Sequence, residues 1–327
     1  MRRTAALAAA ALVLGAGLTA CAAPEETPRP AAATGAAASA AARINDSPQQ
    51  NRIVPAKVDQ IAALVPEQIR KDGKLVIGVG AAGSGFPPLA FTATDNKTLI
   101  GSEPDLAVAV AGILGLEPVL ENTSWENLFI GLDSGKYQVG SSNITVTELR
   151  KQKYDFATYR LDNLAFEAKK GAGWTVTKPA DVAGRRIAVG SGTNQEKILV
   201  EWSKEAERQG LKPVDIKYYQ TNQATFLALG SGQIDAYLGP NPGVAYHVAV
   251  AGETEIIGTY SGAGADLQGK IALTTKKDNG LVNALTAALN ELIRSGDYTK
   301  ILERWNLTNE AVTAAEVNPP GLPIDGQ

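Results

Sequence analysis

Short apolar runs and amphipathic stretches take turns along most of this chain. Residues 57–70 carry a helical pattern, and Lys74-Leu75-Val76-Ile77-Gly78-Val79 reads as a strand. The alternation continues with a helix over 105–114, a strand over 117–121, a helix over 125–134 and a strand over 137–144. A second series opens near Gly184, with strand 186–189, helix 195–209, strand 214–219, helix 223–231 and strand 234–238. A strand-like stretch over 270–275 follows, then a long amphipathic helix over 281–303 that places Leu285, Leu289, Leu292 and Ile293 on one face. Strands alternating with helices predict an α/β protein, and the two half-series predict two lobes.

Both ends break this pattern. Arg2 and Arg3 precede an apolar run over 5–16 and then Gly17-Leu18-Thr19-Ala20-Cys21, the order of an export signal with a small-residue cleavage site. The one Cys of the chain falls at the cleavage point, which resembles the bacterial lipobox. Residues 1–20 are then expected to be a lipoprotein signal peptide, with the Cys21 sulfur accepting a diacylglyceryl group, because two or more acyl chains give stable anchoring where one does not. The alternative is an ordinary signal peptide or an N-terminal membrane helix with an incidental Cys. The next stretch is Ala, Pro, Thr, Glu and Ser with almost no large apolar residue, so 21–51 is expected to be a flexible tether. Beyond Asn306 the chain turns rich in Pro and Gly, ending in Pro319-Pro320-Gly321-Leu322-Pro323, and 308–327 is expected to be a loose tail.

Composition narrows the function classes. A chain of 327 residues suggests about two domains, and 44% hydrophobic with 20% charged residues is ordinary for a soluble α/β body. The net charge of -3 is spread without a basic block, so nucleic acid is not an expected partner. One Cys and one His, His247, exclude an intrachain disulfide, a thiolate zinc cluster and a Cys/His nucleophile pair, and no metal or cofactor is expected.

Several ordered landmarks then resemble the family 3 bacterial extracellular solute-binding proteins. They are Gly73-Lys74-Leu75 leading into a strand, Phe86-Pro87-Pro88-Leu89-Ala90-Phe91, Gly101-Ser102-Glu103-Pro104-Asp105-Leu106-Ala107 and Ser124-Trp125-Glu126-Asn127-Leu128. Asn143-Ile144-Thr145-Val146-Thr147-Glu148-Leu149-Arg150, the stretch 190–196 and the closing Gly296-Asp297-Tyr298 with Lys300-Ile301-Leu302-Glu303-Arg304-Trp305 complete the set. The resemblance covers about 73–307. It implies a two-lobed periplasmic-binding-protein-like fold of type II, with a ligand cleft between lobes joined by two crossover strands. Lobe 1 would comprise 52–162 and 262–307, and lobe 2 would comprise 163–261. It further implies a monomeric amino-acid-type receptor for an ABC permease, lipid-anchored outside the cytoplasmic membrane.

The same resemblance assigns site residues. Arg150 stands where the family holds a ligand carboxylate, and a guanidinium fork suits that task through two parallel charge-assisted hydrogen bonds. Thr145 and Asn143 match positions at the cleft end of a strand, where an ordinary turn role is the alternative. Thr193 and Asn194 lie between a strand and a helix, where free amides can receive an anion or the side chains can cap the helix. Phe86 and Trp125 match cleft aromatics. One departure stands out: Pro240 occupies the position of the family's Asp for the ligand α-ammonium, leaving Asn241, Glu103 or Asp266 as substitutes, or a ligand without that group. His247 reads as structural. A dehydratase-like enzyme on the same fold would need Glu103 or Glu196 as its acid or base, and a tethered ligand sensor would use the same pocket.

Overall fold

The alternating pattern closes into one nine-stranded mixed sheet that serves two lobes, with Phe91–Thr92 and Leu99–Ile100 as a separate two-stranded ribbon. The computed structural model describes residues 44–83 and 85–324. Its elements are α1 (Asp59–Ala62), α2 (Glu67–Asp72), β1 (Lys74–Gly80), β2 (Phe91–Thr92), β3 (Leu99–Ile100), α3 (Ser102–Leu114), β4 (Glu117–Thr123), α4 (Trp125–Asp133), β5 (Val139–Thr145) and β6 (Tyr154–Lys169). There follow β7 (Arg186–Ala188), α5 (Asn194–Arg208), β8 (Asp215–Lys217), α6 (Asn222–Ser231), β9 (Ala236–Pro240), α7 (Asn241–Ala251), β10 (Thr254–Ser261), β11 (Gly269–Lys276), α8 (Val282–Ser295) and α9 (Asp297–Arg304). The strand order is β4-β1-β5-β11-β6-β9-β7-β8, with β10 pairing β6.

Strand β6 joins the halves. It pairs antiparallel with β11 as far as Asp162, opposite Gly269. From Asn163 onward it pairs with β10, and from Leu164 also with β9. The return path runs from Ser261 at the end of β10 to Gly269 at the start of β11. The lobes are thus linked twice, by the continuous strand β6 and by a return whose 262–268 stretch is turns and bends where a second crossover strand was expected, the arrangement of a hinge.

In lobe 1, α3 is apolar beyond its acidic first turn, and only Gly112 of its residues is not buried. Such a helix must be covered on every side. Sheet, α8 and α9 cover most of it, and the N-terminal chain crosses the rest, with Pro55 so near Gly112 that a Cβ there would meet its carbonyl at 2.8 Å. Lobe 2 has its own core, with Phe166 stacked on Trp202 at 5.7 Å and α5 laid over β7.

Four features differ from the sequence reading. The helix expected over 57–70 is two turns, because Pro66 caps α2 and cannot supply an amide to a continuous helix. The helix expected over 281–303 breaks at Gly296, which adopts φ 81°. The tether, of which 44–51 is described, is already docked there: Gln50 is buried, and Ile44 packs on the lobe 1 core. The tail is not loose. Val312, Ala315 and Leu322 are buried, and Leu322 exchanges backbone hydrogen bonds with Val146 (3.1 Å) and Glu148 (2.9 Å). Its Pro and Gly residues exclude a helix but allow an extended strap. Residues 1–20 and Cys21 lie outside the described residues.

Candidate functional site

Parallel strands deliver their C-terminal ends to one place, where ligands of open α/β sheets bind. Here the ends of β1, β4 and β5 in lobe 1 face those of β7, β8 and β9 in lobe 2 across a cavity of about 350 Å³. Lobe 1 supplies the loop around Gly80 to Ala90, Thr123 to Glu126, Ser142 and Asn143; lobe 2 supplies Val189 to Gln195, Tyr218 to Asn222 and Tyr237 to Pro240. The lobes touch across it. Asn222 Nδ2 donates to the Gly85 carbonyl (3.2 Å), Arg150 Nη2 donates to the Gly192 carbonyl (3.2 Å), and the Phe86 and Phe226 rings stack with centroids 6.5 Å apart. Gly243 has to be glycine, since a Cβ would lie 2.2 Å from the Phe86 ring.

Phe86, Trp125, Asn143, Thr193 and Asn194 all line this cavity. Asn143 takes φ 50°, a conformation Asn tolerates, and its Oδ1 accepts from Arg160. Thr193 does both things expected of it: it lines the cavity, and its Oγ1 caps α5 by accepting from the Glu196 amide (3.1 Å). Asn194 Nδ2 reaches Asp162 Oδ2 (3.1 Å) and the Gly262 carbonyl (2.9 Å), which ties α5 to both hinge crossings.

Arg150 is not among the lining residues; it stands behind the lining residue Trp125, beside the cavity. Its guanidinium sits 5.1 Å from the Trp125 ring centre and 5.5 Å from Phe129, with Nη1 donating to the Thr145 carbonyl (2.9 Å). Desolvation pulls its pKa down to about 10, against the opposing charge of Asp162. It is a cation short of solvation and backed by aromatic faces, which makes an incoming carboxylate favourable.

Two further expected residues, like Arg150, are off the lining. The Thr145 side chain is fully buried and donates to Asp162 Oδ2 (2.8 Å), so what it offers Arg150 is its carbonyl. Asn241 turns away from the cavity, because Pro240 ends β9 facing it and the next residue starts α7 on the other side. Asn241 Nδ2 instead donates to Glu310 Oε1 (3.0 Å), beside a separate crevice of about 190 Å³. His247 pairs with the buried Glu167 and stacks on Phe226 at 3.6 Å, outside the cavity lining.

The sequence reading passed over the wall at 218–222. Tyr218 donates to Glu196 Oε1 (2.6 Å), and that hydrogen bond, with desolvation, pushes its pKa up to about 12. Glu196 Oε2 also accepts from the Gly192 amide (2.6 Å), so an internal carboxylate already occupies part of the helix start. The available signal was position: Tyr218-Tyr219-Gln220 follows a strand at its C-terminal end. Gln195, also unread, lines the cavity with an Oε1 that has no hydrogen-bond partner.

Beneath the cavity floor lies a buried charged network on β6. Arg160 donates to Glu310 and to Asn143, and stands 3.7 Å from Glu103 Oε1. Burial alone would lower the Arg160 pKa, but Glu310 and Glu103 outweigh it and raise it. Glu103 Oε2 accepts from Tyr159 and from Ser141 (3.2 Å). Desolvation pushes the neighbouring Asp162 up to about 6 from 3.8, despite its bond from Thr145 and the charge of Arg160. A carboxyl raised in this way favours the folded state fully only below its unfolded pKa, and that contribution is lost as pH rises through about 6. Asp162→Asn should therefore be more stable than the parent at pH 7.5 by up to about 3 kcal/mol. The difference should close toward pH 4, and thermal melts across pH 4 to 8 check this.

Comparison with known proteins settles the family. Residues 77–308 match the model of the bacterial extracellular solute-binding proteins, family 3. The chain belongs to that family. This solute-binding protein is 29% identical over 239 residues to the L-cystine-binding protein TcyJ of Escherichia coli K12, covering 73% of this chain and 84% of TcyJ. It is also 29% identical over 273 residues to the arginine-binding protein ArgT of Corynebacterium glutamicum, covering 83% of this chain and 86% of ArgT. Among solved structures, an ancestral arginine-binding protein bound to arginine matches with TM-score 0.61 and 28% identity over 71% of this chain and 98% of that one. The substrate-binding protein AbpA of Streptococcus pneumoniae bound to L-arginine matches with TM-score 0.62 and 25% identity, over 74% and 99%. These relatives are binding proteins, and the fold is the type II two-lobed fold the sequence resemblance implied.

Proposed function

We propose that this solute-binding protein captures a small polar ligand through a carboxylate and delivers it by lobe closure to an ABC permease. The observation that carries the reading is Arg150, a partly desolvated guanidinium that stands against the lining residue Trp125 and bridges the lobes through Gly192. Of the two carboxylates a dehydratase would need, Glu196 is committed through both oxygens to Tyr218 and the Gly192 amide, which favours binding over catalysis there, whereas Glu103 is committed through Oε2 and keeps an Oε1 without a hydrogen-bond partner.

The ligand class departs from that of the cystine and arginine binders. Pro240 lines the cavity with no acceptor side chain, Asn241 faces away and Asp266 is exposed off the lining. Among the lining residues the carboxylates are Glu103, which is fully buried, neutralised by Arg160 at 3.7 Å and bonded through Oε2 to Tyr159 and Ser141 while Oε1 has no hydrogen-bond partner, and Glu126, which is exposed. An α-ammonium buried without a partner costs several kcal/mol even after relaxation. In a calorimetric panel of amino acids and of carboxylates that lack or mask the α-amino group, the tightest binder should come from the second set. Micromolar binding of an unmodified amino acid would overturn this ligand class and leave Glu103 as its acceptor, a role that Glu103→Gln would then remove.

The export and lipid-anchor reading rests on the leader and Cys21. Cys21→Ser should release the protein from the salt-washed membrane fraction, and full retention of the variant there would contradict a thioether-linked anchor.

A further inference from the structure

The family match ends at residue 308, yet residues 309–324 beyond it are held against both lobes. We infer that the C-terminal segment 309–324 is a latch that ties the lobes together and biases the cleft toward closure.

The segment is fastened at both ends to both lobes. At its start, Glu310 is fully buried; it accepts from Arg160 on the lobe 1 side of β6 and from Asn241 Nδ2 of lobe 2. It then runs along lobe 1, where Glu316 and Thr158 exchange hydrogen bonds (2.9 and 3.0 Å) and Asn318 pairs with Phe156 (3.0 and 2.8 Å). At its end one residue holds both lobes. The Leu322 backbone bonds to Val146 and Glu148, four to two residues before Arg150, while its side chain is buried in the lobe 2 core with residues such as Phe166 and Val189. Lys197, in the second turn of α5, donates to the Pro323 and Ile324 carbonyls.

Two details indicate a fitted crossing. Gly321 passes so close to lobe 1 that a Cβ would meet the Val146 carbonyl at 2.3 Å. The crossing also runs beside the Arg150 to Gly192 contact, so it spans the same gap that lobe closure narrows. Rotation about β6 at Asp162 and Asn163 moves the Val146–Glu148 turn relative to α5, and Leu322 cannot then keep both its backbone bonds and its burial. A contact present in one lobe arrangement and strained in the other shifts the equilibrium toward the first.

The test needs no ligand, so its failure leaves the ligand reading intact. Spin labels at Lys136→Cys in lobe 1 and Lys204→Cys in lobe 2, in a full chain carrying Cys21→Ser, report the interlobe distance by pulsed electron resonance. Ending the chain after Asn318 should move the distribution to longer values and broaden it. Leu322→Ala, which keeps the chain length, should move it the same way by less. An unchanged distribution in Leu322→Ala and in the folded truncated chain overturns the latch. If the truncated chain fails to fold, Leu322→Ala alone decides.

Discussion

Arg160→Met is expected to destabilise the fold by about 3–5 kcal/mol, the cost of removing one partner from a buried ion pair. Arg160 is 1% exposed, and its guanidinium faces two carboxylates, Glu103 and Glu310, neither of them exposed. Methionine approximates the volume but leaves both acids without their cation. For a body of this size that is a melting temperature lower by roughly ten degrees. Adding Glu310→Gln to Arg160→Met should recover part of the loss, because one buried charge then disappears with its partner. Melting within a degree or two of the parent would mean that the network contributes no net stability.

This network also explains what could not be read in the sequence. Strand β6 is the longest among the described residues, yet Tyr154–Lys169 carries Arg160, Asp162 and Glu167 at buried positions. A strand buried on both faces shows no alternation, and charges inside it argue against burial unless their partners are known. The partner of Arg160 is Glu310, 150 residues later, in a stretch whose Pro and Gly content reads as loose. Local pattern cannot reveal a pairing that only the fold brings together.

Where local chemistry decides, the reading held. The alternation in the two half-series marked a two-lobed α/β protein, the family resemblance added the type II class, and Thr193 caps α5 as its position suggested. Asn241 marks the boundary of such inference. It adjoins Pro240 in sequence, but the passage from β9 into α7 turns successive residues to opposite sides, so neighbours in the chain face different cavities. Tyr218 lines the cavity because of where β8 ends and Gln195 because of where α5 begins, not because of any motif.

The second large effect concerns Arg150. Its fork is held by two backbone carbonyls, Thr145 on one side and Gly192 on the other, and is backed by Trp125 and Phe129. A ligand carboxylate between the lobes would exchange a neutral acceptor for an ionised one, and hydrogen bonds of that kind are roughly twice as strong. Removing one partner of a desolvated, hydrogen-bonded charge pair costs about 2–5 kcal/mol in binding, so Arg150→Ala should weaken affinity at least about 30-fold. Arg150→Lys keeps the charge but loses the planar fork and should fall between. The direct measurement is calorimetric titration of the parent and Arg150→Ala with the tightest carboxylate from the ligand panel. The account predicts one saturable site in the parent and a loss of at least about 30-fold in the variant; equal affinity in the two proteins would contradict it.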